Sequence, residues 1–145
     1  LSFALEKPLI AVSTFEAMAE AGRQRHPEAS SVLVVMDAKK DEWYVGGFLV
    51  DGERVRALGA VEIRTIGEAL SAAKDSTLVL TDNVEVVRPH LKENILLDDA
   101  LLCCRGDIVA LLGSPKAANN EFADAASLEP MYLKDFVVRT AVSVS

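Results

Sequence analysis

Five consecutive apolar residues, Val32-Leu33-Val34-Val35-Met36, set the strongest limit on how this chain folds. The run is rich in β-branched residues, which favour strands. Side chains on a strand point alternately to its two faces, so an unbroken apolar run needs cover on both. That is the environment of a central strand between layers of helices. Asp37 closes the run and Lys39 to Glu42 form a polar turn.

Around this strand the local signals give an order of elements. Leu9 to Val12 is a short apolar run suited to a buried strand. Ser13-Thr14-Phe15-Glu16 then reads as a capping box opening a helix, with Ser13 as N-cap and Glu16 at the third position. The helix ends in Arg23, Arg25 and His26, cations that suit its negative end, before Pro27. After the central run, Trp43 to Val50 forms a second strand. Asp51-Gly52 is a strong hairpin signal, and Arg54 to Ala60 returns as a third strand. Thr65-Ile66-Gly67-Glu68 is a second capping box, opening a helix through Ala73. Thr77 to Leu80 is a fourth strand, Val84 to Leu91 a weak helix interrupted by Pro89, and Ile95 to Leu97 a short fifth strand. Leu101, Cys104, Ile108 and Leu111 have the spacing of one helix stripe, ending near Gly113 and Pro115. Residues 113–127 read as a polar connection. Together the segments imply a mixed five-stranded α/β sheet, with a three-strand antiparallel meander and flanking helices. From residue 31 this order is similar to the ribonuclease H-like fold, which also forms each lobe of the actin-like ATPases.

The chain's 145 residues suit one domain, large enough to bury roughly 70% of its unfolded surface without disulfide or metal. Cys103 and Cys104 are adjacent, a poor geometry for a disulfide, and are expected as reduced, partly buried thiols. The net charge of -7 and pI of about 4.8 argue against a dedicated nucleic-acid-binding domain, because such affinity rests on basic groups displacing counterions. No run of 18 apolar residues could span a membrane and no signal peptide is legible at Leu1, so a cytoplasmic protein with no membrane partner is expected. Leu1 to Leu5 is apolar and helix-like but uncapped. It reads as the tail of a helix arriving from a portion that precedes it.

Three segments carry a family resemblance. Lys7 to Ala19 (KPLIAVSTFEAMA), Val35 to Phe48 (VMDAKKDEWYVGGF) and Glu129 to Asp135 (EPMYLKD) resemble, in order, three segments of TsaB proteins, also called YeaZ, once grouped with glycoprotease-like peptidases. Val12-Ser13-Thr14-Phe15 stands for the family's V-S-T-L. Asp37-Ala38-Lys39 stands for D-A-R, with Glu42 and Tyr44 keeping its E-x-Y. Pro130, Tyr132, Leu133 and Lys134 stand for P-x-Y-L-R. Lys replaces Arg twice, and an ammonium cannot form guanidinium's planar fork. The resemblance implies the second, C-terminal actin-like lobe (residues 31–145, with a docked tail), preceded by residues 1–30 leading into it, the first lobe being absent. It implies a non-catalytic partner in tRNA threonylcarbamoyladenosine synthesis, working with a TsaD-like catalytic subunit and a TsaE-like ATPase, as a homo- or hetero-dimer that touches tRNA only indirectly. No cofactor is expected in this chain; a nucleotide would need the missing lobe.

The residues themselves leave other chemistry open. Asp37, Glu68 and Asp82 stand where ribonuclease H-like nucleases hold two divalent ions about 3.5–4 Å apart, although Glu68 also suits a helix cap and Asp82-Asn83 a turn. A phosphate cradle needs a Gly-rich turn, and Ala38-Lys39-Lys40-Asp41 has no glycine. A metalloprotease needs closely spaced histidines, whereas His26 and His90 are far apart in sequence, so peptidase activity is not expected. Trp43 points to one face of its strand and Tyr44 and Phe48 to the other, which favours packing over base stacking. Pro130 to Lys134 reads as a clip that docks the tail, with a functional contact for Tyr132 and Lys134 as the alternative.

Overall fold

The apolar run forms the middle of a mixed sheet. In the computed structural model, which describes residues 2–103 and 105–129, the order is α1 (Ser2–Leu5), α2 (Thr14–Arg25), β1 (Ser31–Asp37), β2 (Trp43–Asp51), β3 (Arg54–Ala57), β4 (Glu62–Arg64), α3 (Ile66–Ser71), β5 (Thr77–Thr81), α4 (Val84–Val87), β6 (Leu96–Asp99) and α5 (Gly106–Ala118), with 3-10 turns at Arg88–His90 and Ala100–Cys103. The sheet runs β3-β2-β1-β5-β6, and β4 also pairs with β2. β1 is antiparallel to β2 and parallel to β5, and β5 is parallel to β6.

Two hydrophobic layers cover the sheet, as β1 requires. Val32 and Val34 face α2 and α5, where they meet Ala17, Met18, Phe48, Leu78, Leu80, Ile108 and Leu112. Leu33 and Val35 face the other way, onto Trp43, Val45, Leu70, Val79 and Val87. No side chain from Val32 to Val35 is more than 5% exposed. Full burial of one such side chain is worth about 1.5–3 kcal/mol, so this strand anchors both layers. Trp43 falls in one layer and Phe48 in the other, as their alternation on β2 dictates.

Helix starts follow their local chemistry. Thr65 and Glu68 form the complete capping box of α3. Ser13 forms one half of the box expected at α2, its hydroxyl accepting from the Glu16 N–H at 3.4 Å. α2 ends at Arg25, with His26 as its C-cap.

Four expectations need correction. Leu9 to Val12 is not a buried strand. Among the described residues its one bridge is from Leu9 to Ala123, and Ile10 and Val12 lie against Gly113 of α5, so within them side-chain packing on a helix holds it instead of a ladder. The third strand is broken. Between the pairs Phe48–Ala57 and Val45–Glu62, residues 46–47 of β2 stand against residues 58–61, which bulge out and split the strand into β3 and β4. The stripe from Leu101 to Leu111 is not one helix face. Residues 100–103 turn as a 3-10 helix, Leu101 is 60% and Leu111 43% exposed, and of the stripe's described members only Ile108 is buried. Finally, α5 continues through Gly113 and Pro115 to Ala118, taking in the start of the supposed polar connection. Pro115 removes the N–H that would serve the Leu111 carbonyl, and Leu111 is itself an exposed residue. Residues 130–145, including the expected tail clip, lie outside the described residues, as does Cys104. Cys103 is fully buried.

Candidate functional site

Ligands of open α/β sheets collect beyond the carboxyl ends of strands, where successive connections leave in opposite directions. Here that point lies between β1 and β5: the chain leaves β1 by a hairpin to β2 on one side, and reaches β5 on the other through α3. Asp37 ends β1 and Asp82 follows β5, and the two meet. The Asp37 N–H donates to Asp82 Oδ1 at 2.9 Å.

The hairpin loop after Asp37 closes on itself. Asp37 Oδ1 accepts the Lys39 N–H at 2.7 Å, and its Oδ2 accepts Lys39 Nζ at 3.1 Å. The Ala38 N–H donates to the Glu42 carbonyl at 2.9 Å, and the Glu42 N–H to the Lys39 carbonyl at 3.2 Å. Lys39, Lys40 and Asp41 all take left-handed φ angles, of 69°, 56° and 60°. Each such residue costs about 1–2 kcal/mol without glycine, so these bonds and the Asp37 grip offset a real strain. Chemically, the loop spends the N–H groups of Ala38, Lys39 and Glu42 on its own atoms. At its base the Asp37 and Asp82 carboxylates lie side by side at the strand ends. Lys39 extends its side chain into solvent, while Ala38 is buried.

Glu68, the third carboxylate of the expected set, is held elsewhere. Its Oε2 accepts the Thr65 N–H at 3.0 Å and the Thr65 hydroxyl at 2.8 Å. The backbone hydrogen bond from Thr65, reinforced by its hydroxyl, holds the Glu68 carboxyl below the usual range. The fold thus brings Asp37 and Asp82 together and engages Glu68 in capping α3. Among the described residues, no group of three or more His, Cys, Asp or Glu side chains is placed to hold a metal ion.

The remaining sequence candidates sort by position. Tyr44 is half-buried on β2, opposite Met36 of β1 and Ile63 of β4. Pro130, Tyr132, Leu133 and Lys134 fall outside the described residues. His90 is exposed in the turn after α4. His26 caps α2, with its Nε2 2.8 Å from Asp98 Oδ2 and its Nδ1 3.4 Å from Glu28.

Two polar clusters escaped the sequence reading. Asp98, at the end of β6, accepts Arg25 Nε at 2.9 Å beside His26. Burial pushes the Asp98 carboxyl up, but the bonds from His26 and Arg25 outweigh it and leave the group below the usual carboxylate range. Glu20 is 1% exposed on α2. Its Oε1 binds Arg23 Nε at 3.1 Å and Arg23 Nη2 at 2.6 Å, and its Oε2 accepts the Val55 N–H at 3.1 Å. The i, i+3 spacing of Glu20 and Arg23 was visible, but the same spacing marks countless solvated pairs.

Among the described residues no helix is long and apolar enough to cross a membrane. A family model described as "TsaD: tRNA N6-adenosine threonylcarbamoyltransferase" matches residues 1–135. One similar solved structure is an uncharacterized protein with similarity to peptidase YeaZ from Pseudomonas aeruginosa, at 26% identity and a TM-score of 0.74, covering 92% of this chain and 62% of that one. YeaZ from Pseudomonas aeruginosa is similar at 23% identity and a TM-score of 0.76, covering 91% of this chain and 62% of that one, a likeness that bears on the fold alone. The chain therefore spans less than two thirds of the length of either structure. The fold is the actin-like, ribonuclease H-like one. No curated protein matches the chain.

Proposed function

Because this chain belongs to the family described as TsaD, tRNA N6-adenosine threonylcarbamoyltransferase, and is YeaZ-like, we propose that it acts in the synthesis of threonylcarbamoyladenosine on tRNA as a non-catalytic partner subunit. In this reading it supports a TsaD-like catalytic subunit, alongside a TsaE-like ATPase, and contacts tRNA only indirectly. The observation that supports it most is the self-closed loop at the switch point. A nucleotide-using lobe of this architecture needs free backbone N–H groups there to receive phosphate. This loop turns three of its N–H groups onto Asp37 Oδ1, the Glu42 carbonyl and the Lys39 carbonyl. A loop whose N–H groups are already engaged has few donors to give a polyphosphate, which suits a protein whose work is to hold a partner.

The test is a reconstituted modification reaction containing the catalytic subunit, the ATPase, threonylcarbamoyl-adenylate and tRNA. Omitting this protein should abolish modification, and adding Asp37→Asn should restore it as fully as the parent does. Modification that proceeds unchanged without the protein would sink the proposal.

One observation favours a second reading, a ribonuclease H-like phosphotransfer enzyme: Asp37 and Asp82 do meet at the strand ends. That reading requires Mn²⁺ or Mg²⁺ binding that disappears on Asp37→Asn. A flat calorimetric titration of the parent protein with both ions would remove it.

A further inference from the structure

Glu20 poses a question that the proposed function leaves unanswered: why a helix facing a hydrophobic core should bury a carboxylate. A buried ion pair is seldom a net source of stability, because desolvation cancels most of the attraction. An apolar side chain beside Leu111 and Leu112 would fill the space at less cost. The carboxylate must do something that an apolar group cannot.

The geometry of β3 supplies the reason. β3 is the outermost strand on its side of the sheet among the described residues. Val55 pairs with Val50, and the Val50 N–H points away from β3, donating to the Ser30 carbonyl at 3.1 Å. In such an antiparallel pair both residues turn their backbone groups away from each other, so the Val55 N–H faces outward from the sheet edge. Glu20 Oε2 accepts that N–H at 3.1 Å. Arg23 Nε and Nη2 together with Gln24 Nε2 fasten Oε1 and so fix the carboxylate in place. Beside this contact lies a cavity of about 340 Å³, walled by Glu20, Arg23, Gln24, Arg54, Leu111 and Leu112.

Exposed edge donors template the addition of a further strand, and inward-pointing charge is one way that proteins prevent it. We infer that Glu20 guards the β3 edge: it occupies the Val55 donor and confronts an incoming strand from a second copy of the chain with a fixed charge that would have to be displaced. Arg23 and Gln24 hold the guard in position. The inference stands independently of the tRNA-modification reading, since it concerns the other side of the sheet from the switch-point loop.

The test combines amide hydrogen exchange with sedimentation of the full chain. Glu20→Ala should speed exchange at the Val55 amide by about tenfold, the loss expected for roughly 1.4 kcal/mol of hydrogen bonding. It should also add a concentration-dependent species larger than any the parent forms. Glu20→Gln keeps a side-chain acceptor and should retain protection at Val55 and the parent's size. Val55→Pro combined with Glu20→Ala removes the donor itself and should abolish the new species, because proline is tolerated where an edge N–H faces out. If Glu20→Ala does not fold, Glu20→Met, of similar volume, carries the same two measurements. Unchanged Val55 exchange and unchanged size in the folded Glu20 variant would overturn the inference, as would association that survives Val55→Pro.

Discussion

Phe15 of α2 lies against the backbone of Gly46 in β2 so closely that a Cβ at position 46 would stand 2.8 Å from Phe15 Cδ1. The contact seats the first turn of α2, which Ser13 caps, on the outer half of the sheet. The absence of a side chain at 46 is therefore a packing requirement. Gly46→Ala should lower stability by about 1–3 kcal/mol, the usual cost of overpacking, despite the gain that alanine brings in a strand. Urea unfolding checks it. Phe15→Leu in the same chain should recover part of the loss, since the pair is coupled.

Gly22 makes the matching contact at the other end of α2. A Cβ there would stand 2.7 Å from Leu80 Cδ1 and 3.1 Å from Leu78 Cδ2, both in the buried core. Alanine normally improves a helix by about 1 kcal/mol over glycine. Here overpacking should reverse that sign and leave Gly22→Ala less stable than the parent by about 1–2 kcal/mol. A more stable Gly22→Ala protein would show that the helix can lift away from β5.

Asp98 ties the C-terminal end of α2 to the end of β6 through Arg25 and His26. Its carboxyl titrates below its ordinary value of 3.8 in the folded chain. A depressed folded pKa stabilises the fold above the unfolded pKa, and that contribution is lost as pH falls through the folded one. Asp98→Asn should therefore cost about 2 kcal/mol at neutral pH. The gap between variant and parent should close as pH drops below the ordinary aspartate value. Urea midpoints for both proteins from pH 7 down to strong acid test it, and a gap that persists in acid would contradict it.

Thr65 holds the Glu68 carboxyl below its ordinary value of 4.5 by accepting the role of N-cap to α3. Thr65→Ala removes the hydroxyl that donates to Oε2 at 2.8 Å. The Glu68 pKa should then rise toward the ordinary value in an NMR titration. The Asp98 pKa, on another part of the sheet, should stay where it is.

Much of this architecture was legible because its signals are local. Val32 to Met36 demanded a doubly covered strand and became β1. Thr65 with Glu68, and Ser13, announced helix starts through bonds spanning only a few residues. The hairpin at Asp51-Gly52 needed a left-handed residue, and Gly52 takes φ 62°. The misreadings fall where distant contacts decide. Leu9 to Val12 has a strand's composition, but Gly113 of α5 offers Ile10 and Val12 a surface, so among the described residues the segment packs without a ladder. α5 passes through Pro115 at a turn where Leu111, four residues before, is exposed, which composition cannot reveal.

The candidate site divides the same way. Asp37, Asp82 and Glu68 were each visible as carboxylates near element ends, and their local turn and cap chemistry could be read directly. Which of them meet depended on β1 and β5 lying side by side, forty-odd residues apart in sequence, so that the Asp37 N–H reaches Asp82. Glu20 reaching Val55 and Asp98 reaching Arg25 are of the same kind. By itself the sequence determined where the strands and helix starts lie, because propensity, capping and alternation act over a few residues. Only the tertiary structure decided which polar side chains became partners, because a carboxylate finds its donor through space, and the order of strands in the sheet sets that distance.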